Sequence, residues 1–168
     1  MRAPAVFIVL LFCLQAGMGF VSAATPETIT VDGDVSEWSS DTELAVDGNG
    51  VSLHATWDEN NFYIAWSGTD WASMSNGADL FLYFNTSENG SVLSKDWNFA
   101  HTLPFAADYG FALEDSNYNQ YFAYDGTSWA DQGQLSTSEL YVGWADNPVT
   151  EMAIPWSVIG SPTALQFM

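Results

Sequence analysis

The sequence predicts an all-β fold, specifically a two-sheet antiparallel β-sandwich of the jelly-roll or immunoglobulin-like type. Three observations support this prediction. Short segments alternate apolar with polar side chains, turn signals rich in Gly, Asn and Asp recur between them, and helix signals are nearly absent. Such alternation, interrupted by turns, is typical of antiparallel strands. The chain ends within an apolar run at 165–168, so we expect its C-terminal strands to be truncated.

The predicted strands follow from local patterns. Segments 51–57 and 62–67 alternate and should form a hairpin closed by Asp58-Glu59-Asn60-Asn61. Segment 78–86 is apolar on both faces, which is typical of a central strand. Segment 86–101 is long and polar, so we expect an irregular loop there. The remaining predicted elements are strands at 28–31, 109–114, 120–124, 140–144 and 151–154, and a helical turn at 155–160.

Residues 1–23 have the organisation of an export signal peptide. Arg2 precedes an apolar run, and Val21-Ser22-Ala23 supplies a small-residue cleavage site. The run is shorter than the roughly 20 residues of a membrane span, although an uncleaved anchor is the alternative. Cleavage leaves residues 24–168 as one predicted domain, either secreted or on the cell surface. The only cysteine, Cys13, lies in the signal, so the domain depends on its core or on a metal rather than on disulfides.

The composition is strongly acidic. All 21 Asp and Glu residues follow the signal, and Lys95 is the only Lys or Arg there, so the domain carries a net charge of about −20 with both His neutral. Such a surface repels phosphate backbones and anionic lipids, so the sequence predicts neither nucleic acid nor a membrane as a partner. The acidity fits general solubility, cation binding or a salty environment.

Four segments, in order, resemble motifs of the carbohydrate-binding modules of family 9. They are 29–38 (ITVDGDVSEW), 57–66 (WDENNFYIAW), 79–84 (DLFLYF) and 151–156 (EMAIPW). The chain is also similar to DOMON-like β-sandwiches and to the C-terminal modules of glucodextranase-type enzymes. The resemblance implies a non-catalytic sandwich appended to an enzyme or a cell-surface protein. It also implies sugar ligands held between aromatic side chains, with calcium as a frequent structural partner.

Five aromatic residues are candidate carbohydrate-binding residues: Trp71, Trp97, Trp129, Tyr118 and Tyr121. The three tryptophans lie in polar segments, where an exposed ring can stack on a pyranose while neighbouring Asp and Asn side chains bind its hydroxyls. The tyrosines could widen this platform. The alternative is that these rings are half-buried loop anchors. The tryptophans at strand or motif positions are predicted to be core residues: Trp57, Trp66, Trp144 and Trp156.

Asp32, Asp34 and Glu37 are candidate calcium ligands. They place three carboxylates within six positions of one turn, and Ca²⁺ prefers many oxygen ligands. The pattern is not that of an EF-hand. Turn formation is the alternative interpretation, in which Asp and Gly cap a tight bend while Trp38 fills the core.

The sequence assigns no catalytic residues, and we expect a protein that is not an enzyme. It contains neither a Gly-x-Ser-x-Gly elbow nor a His-Glu-x-x-His motif, and scattered carboxylates alone do not define a glycosidase. Some DOMON-like domains hold haem between Met and His, which makes His101 with Met74 or Met152 a disfavoured third possibility. His54 alternates with polar residues and is predicted to face solvent.

Two tripeptides, Asn85-Thr86-Ser87 and Asn89-Gly90-Ser91, match the acceptor pattern for N-glycosylation. The pattern alone leaves open whether either is used.

The sequence therefore supports three functional hypotheses. The leading one is a non-catalytic extracellular carbohydrate-binding module that tethers a larger secreted or cell-surface protein to a polysaccharide or glycan. The second is a structural or interaction module that packs against other domains of the same longer chain without binding sugar. The third is a haem-binding electron-transfer domain.

Overall fold

The computed structural model describes residues 7–8, 26–46, 51–68, 79–87, 89–96, 100–115, 117–143 and 147–168. Its strands are β1 (Phe7–Ile8), β2 (Glu43–Val46), β3 (Ser52–Trp57), β4 (Asn61–Ser67), β5 (Leu80–Asn85), β6 (Ser91–Leu93), β7 (Thr102–Ala107), β8 (Tyr109–Leu113), β9 (Asn119–Tyr124), β10 (Trp129–Gly133), β11 (Leu140–Val142), β12 (Val149–Pro155) and β13 (Ala164–Phe167). Short 3₁₀ helices span Val35–Glu37, Ser40–Thr42 and Trp156–Ile159.

The chain divides into two compact units that interleave along the sequence. The first unit comprises Met1–Gln15, Asp79–Leu135 and Ser157–Met168, and the second comprises Ala16–Ala78 and Ser136–Trp156.

The second unit is built on a five-stranded antiparallel sheet in the order β11-β12-β4-β3-β2. The β3–β4 hairpin has the predicted turn, where Asp58 Oδ1 accepts hydrogen bonds from the backbone N–H groups of Asn60 and Asn61 at 2.7 and 2.8 Å. This carboxylate replaces the missing backbone partners of the tight turn. One sheet face carries a buried cluster formed by Ile29, Trp38, Tyr63, Ala65 and Ala153.

The first unit is built on a sheet in the order β1-β13-β5-β8-β9-β10. The pairing of β1 with β13 is parallel, and the other pairings are antiparallel. One face is a buried aromatic and aliphatic layer in which the rings of Phe84 and Phe111 meet edge to face with centroids 5.4 Å apart. Strand β5 lies between β13 and β8, so the prediction of a central strand is confirmed.

The opposite face of this sheet is covered by the small β6–β7 sheet. Leu103, Phe105 and Ala107 of β7 are buried against Tyr83 of β5. The phenol of Tyr83 donates a hydrogen bond of 2.7 Å to the carbonyl of Lys95. The burial of its phenol raises the pKa of Tyr83 to about 12.

The structure confirms the predicted fold class: the chain is all-β, and its strands form two large antiparallel sheets, as a two-sheet sandwich requires. The predicted hairpin, the strands near 109, 120, 140 and 151, and the helical turn after Pro155 are present. No helix among the described residues is long and apolar enough to cross a membrane.

Two predictions about local structure are wrong. Segment 28–31 is not a strand, although it lies on the buried cluster of the second unit through Ile29. His54 is buried rather than solvent-facing, because the ring of Trp38 packs 5.8 Å from it and Thr42 lies beside its Nδ1. Burial lowers the pKa of His54, while the charge of Glu43 opposes this shift.

Two of the four predicted core tryptophans are confirmed. Trp66 and Trp156 are buried, Trp57 is half-buried, and Trp144 lies outside the described residues. The segment 86–101, predicted to be an irregular loop, contains β6 in its middle.

Candidate functional site

A buried carboxylate organises the turn that carries the predicted calcium ligands. Glu151, in the middle of β12, is 0% exposed. Its Oε2 accepts hydrogen bonds from the backbone N–H groups of Asp32 and Gly33 at 3.0 and 2.6 Å. Its Oε1 accepts a 2.8 Å hydrogen bond from the indole of Trp38. Burial raises the pKa of Glu151, although these hydrogen bonds act in the opposite direction.

The three predicted calcium ligands are each engaged with backbone N–H groups. Asp32 Oδ1 accepts from the N–H of Asp34, Asp34 Oδ1 accepts from Ser36, and Glu37 Oε1 accepts from Thr30. Within the ranges that the structure describes, no group of three or more His, Cys, Asp or Glu residues is placed to hold a metal ion. Calcium binding at this turn stays a prediction, and the observed geometry is that of the turn interpretation.

Among the predicted carbohydrate-binding residues, Trp129 is half-buried and makes contacts within the first unit. It lies on β10, and its indole Nε1 donates a 2.9 Å hydrogen bond to the carbonyl of Leu93. Its ring meets those of Tyr83 and Tyr124 edge-on, with centroids 6.2 and 5.4 Å apart. Trp129 thus anchors the β6–β7 sheet, as in the alternative interpretation. Trp71 and Trp97 lie outside the described residues.

The two predicted tyrosines are not brought together with Trp129. Tyr121 pairs with Phe111 in the β8–β9 ladder and stacks on its ring at 5.6 Å. Trp129 pairs with Tyr124, three positions along β9, so Tyr121 and Trp129 lie on opposite faces of the sheet. Tyr118 is 60% exposed in the turn before β9.

A cleft of about 640 Å³ in the first unit is a candidate binding site. This volume lies within the range of about 300–1,000 Å³ that is typical of small-ligand sites. Its lining comes from four separate chain segments: Thr86, Ser87, Asn89, Asp108, Tyr109, Tyr124, Asp125, Gly126 and Gly160. The lining combines two aromatic rings with hydroxyl, amide and carboxylate groups, and it contains no basic side chain.

Asp108 forms the base of this cleft. It lies between β7 and β8 and is buried, and its two oxygens accept four hydrogen bonds from Thr86 and Ser87. The backbone N–H groups contribute bonds of 2.7 and 2.8 Å, and the Ser87 hydroxyl contributes one of 2.6 Å. Asp108 therefore fixes the 86–87 wall of the cleft rather than offering a free acid.

Two tyrosines, Tyr109 and Tyr124, are among the residues that line the cleft, and the β8–β9 register places their side chains on opposite faces of the sheet. Burial and the adjacent Asp108 raise the pKa of Tyr109, whose hydroxyl lies against Gly160 so closely that a Cβ there would come within 2.9 Å. Tyr124 is braced by the ring of Trp129. Neutral phenols beside hydroxyl and amide groups can contact the apolar face of a sugar and bind its hydroxyls.

Asp125 lies at the open end of the cleft. Its Oδ1 accepts from the backbone N–H groups of Thr127 and Ser128 at 2.8 and 2.7 Å, and these bonds lower its pKa. A Cβ placed on the neighbouring Gly126 would meet no atom within 4 Å, so this rim is open to a ligand.

Sequence reasoning missed this cleft. Neither Tyr109 nor Tyr124 is among the site residues predicted from the sequence. Both tyrosines occupy the ends of predicted strands next to an Asp, which is the one local signal that could have indicated them.

Of the residues of the haem hypothesis, His101 and Met152 are not among those that line this cleft. His101 is 74% exposed, with Nε2 3.4 Å from Asp96 Oδ2. Met152 is buried in β12, and Met74 lies outside the described residues. Haem binding stays the disfavoured third hypothesis.

Comparison with known proteins does not assign the chain to a family. No protein-family model matches it, and no curated protein matches it.

Proposed function

We propose that this chain is a non-catalytic, exported carbohydrate-binding module that tethers a larger secreted or cell-surface protein to a polysaccharide or glycan. The observation that carries the proposal is the cleft whose lining includes Tyr109 and Tyr124. The same lining, around a space of about 640 Å³, contains hydroxyl, amide and carboxylate side chains. Aromatic rings combined with a few polar groups are the usual composition of a site for a small polar ligand.

The polar groups of the cleft support binding rather than catalysis. Asp108 is occupied by four hydrogen bonds from Thr86 and Ser87, so it serves as a rigid acceptor. Asp125 is held ionised by backbone N–H groups. General acid catalysis requires a carboxyl group with a raised pKa, and the pKa of Asp125 is shifted in the opposite direction.

The decisive experiment is calorimetry or affinity electrophoresis of the exported chain against a panel of soluble polysaccharides. We expect at least one glycan to bind, and Tyr124→Ala to weaken that binding by about tenfold, since losing about 1.4 kcal/mol of ring contact has this effect. Tyr124→Phe keeps the ring and should retain most of the affinity.

Tyr118→Ala is the matched control. Tyr118 is the exposed tyrosine of the platform expected from the sequence, and it does not line the cleft. A loss of binding in Tyr118→Ala, with Tyr124→Ala unchanged, would move the site to that platform. Folded protein that binds no glycan would instead favour a structural module that packs against other domains.

A further inference from the structure

We propose that Asn89 is an N-glycosylation site and that Asn85, four residues earlier in an equally good acceptor tripeptide, is not. The inference rests on the export predicted from residues 1–23, and its test is separate from the test of sugar binding, although Asn89 also lines the cleft. Both tripeptides, Asn85-Thr86-Ser87 and Asn89-Gly90-Ser91, satisfy the acceptor pattern. Their surroundings in the fold separate them.

The side chain of Asn85 is engaged within the sheet. It lies at the end of β5, is half-buried, and its Nδ2 donates a 3.2 Å hydrogen bond to Oε1 of Gln166, its partner in the β5–β13 ladder. The hydroxyl of Thr86, the middle residue of this tripeptide, also donates a hydrogen bond to Asp108. A glycan on Nδ2 would replace a hydrogen of this amide and press on the adjacent strand.

The side chain of Asn89 has the opposite environment. Asn89 is exposed, and within the described residues only its backbone N–H is engaged, by the hydroxyl of Ser87 at 3.3 Å. Asn89 is also one of the residues that line the cleft. A bulky, solvated glycan is tolerated at such a position because it displaces no packed group.

The chain around Asn89 is also held in a defined conformation. A Cβ on Gly90 would collide with the backbone of Ala106 and Ala107, so glycine is required where the chain meets β7. Ser91 pairs with Ala107, and its hydroxyl donates to the carbonyl of Leu93 at 2.9 Å. The acceptor asparagine therefore projects from a fixed corner at the start of β6.

The test is a peptide map of the exported protein made in its own source or in a glycosylating host. A Glu-specific protease cuts at Glu88 and places Asn85 and Asn89 on different peptides. We expect a glycan mass on the Asn89 peptide alone. The single variant Asn89→Gln should remove the mass increment of the whole protein, whereas Asn85→Gln should leave it unchanged.

Two results would overturn the proposal: an unmodified Asn89, or a glycan on Asn85. The wild-type map decides the matter even if Asn85→Gln folds poorly. Because Asn89 lines the cleft, glycan binding should be measured in the wild type and in Asn89→Gln. A modified Asn89 with no glycan binding in either form would sustain this inference and reject the proposed function.

Discussion

The carboxylate of Glu151 and the indole of Trp38 are joined by a 2.8 Å hydrogen bond that is buried within the second unit. The other oxygen of Glu151 binds the N–H groups of Asp32 and Gly33. A fully buried acid is costly unless its hydrogen-bonding capacity is satisfied. Here three donors from one turn satisfy it, so the turn and the central strand β12 depend on each other.

We therefore expect Glu151→Gln to lower the free energy of unfolding by about 2 kcal/mol or more. The glutamine side chain has only one oxygen, so its NH₂ group must face N–H donors that bind the carboxylate in the wild type. Those buried donors are left without an acceptor. Chemical denaturation followed by tryptophan fluorescence measures the change. Glu59→Gln removes the same charge from an exposed turn and should change stability by less than about 0.5 kcal/mol.

The same carboxyl should make stability depend on pH. Burial raises the pKa of folded Glu151 above its usual value of 4.5, so the folded state binds its proton more tightly than the unfolded state does. Stability is then greatest below the unfolded pKa and declines as pH rises through the folded pKa. Denaturation at several pH values from 4.5 to 7 should show this decline, and the decline should be smaller in Glu151→Gln. Parallel curves for the two proteins would contradict the prediction.

A pair of glycines gives a matched test of crowding at the turn. Gly33 and Gly126 both have positive φ angles, 86° and 92°. A Cβ on Gly33 would collide with the ring of Tyr141, whereas one on Gly126 meets no atom within 4 Å. Gly126→Ala should cost about 1–2 kcal/mol from backbone strain alone. Gly33→Ala should lower stability by about 1–3 kcal/mol more than Gly126→Ala does, because its methyl group overpacks against the Tyr141 ring. Equal losses of stability in the two variants, measured by thermal unfolding, would contradict this prediction and show that the Tyr141 ring moves aside at no cost.

The net charge of −19 predicts stabilisation by salt. Repulsion between carboxylates disfavours the compact state, and raising NaCl from 0.1 M to 1 M shortens the screening length from about 10 Å to about 3 Å. We expect the melting temperature to rise by on the order of 5 °C, which corresponds to roughly 1–2 kcal/mol for a chain of this size. A melting temperature that is constant across this range would mean that the charges are too far apart to interact.

Calcium can be tested against this background. Since Asp32, Asp34 and Glu37 each accept a backbone hydrogen bond, we expect millimolar Ca²⁺ to shift the melting temperature no more than Mg²⁺ does in 1 M NaCl. A larger shift with Ca²⁺ that Asp34→Asn abolishes would establish the calcium site expected from the resemblance.

The sequence predicted the parts of the fold that depend on neighbouring residues. The turn at Asp58 was predictable because an Asp followed by two Asn residues carries its own hydrogen-bond partners. Strand β10 was missed because it is a polar edge strand, in which alternation is weak. His54 was misplaced because Trp38, which directly follows the first 3₁₀ helix and lies outside the sheet ladder, covers a strand face that looks polar in isolation.

The candidate cleft could not be predicted from the sequence. Tyr109, Tyr124 and Asn89 belong to different segments, and only strand order and register bring them to one place. Tyr121 and Trp129, two of the five predicted carbohydrate-binding residues, lie on opposite faces of the sheet because of the register of β9 with β10. A one-residue shift in strand pairing moves a side chain to the other face of the sheet, and the composition of the chain does not reveal this register.

The bond between Gly33 and Glu151 joins positions 118 apart in the chain. The Asp32 turn leaves the ribosome early, yet the carboxylate that holds it emerges only after strand β12 has been made. Docking of the first segment must therefore be a late event, and nascent chains shorter than about 150 residues should keep this segment accessible to protease.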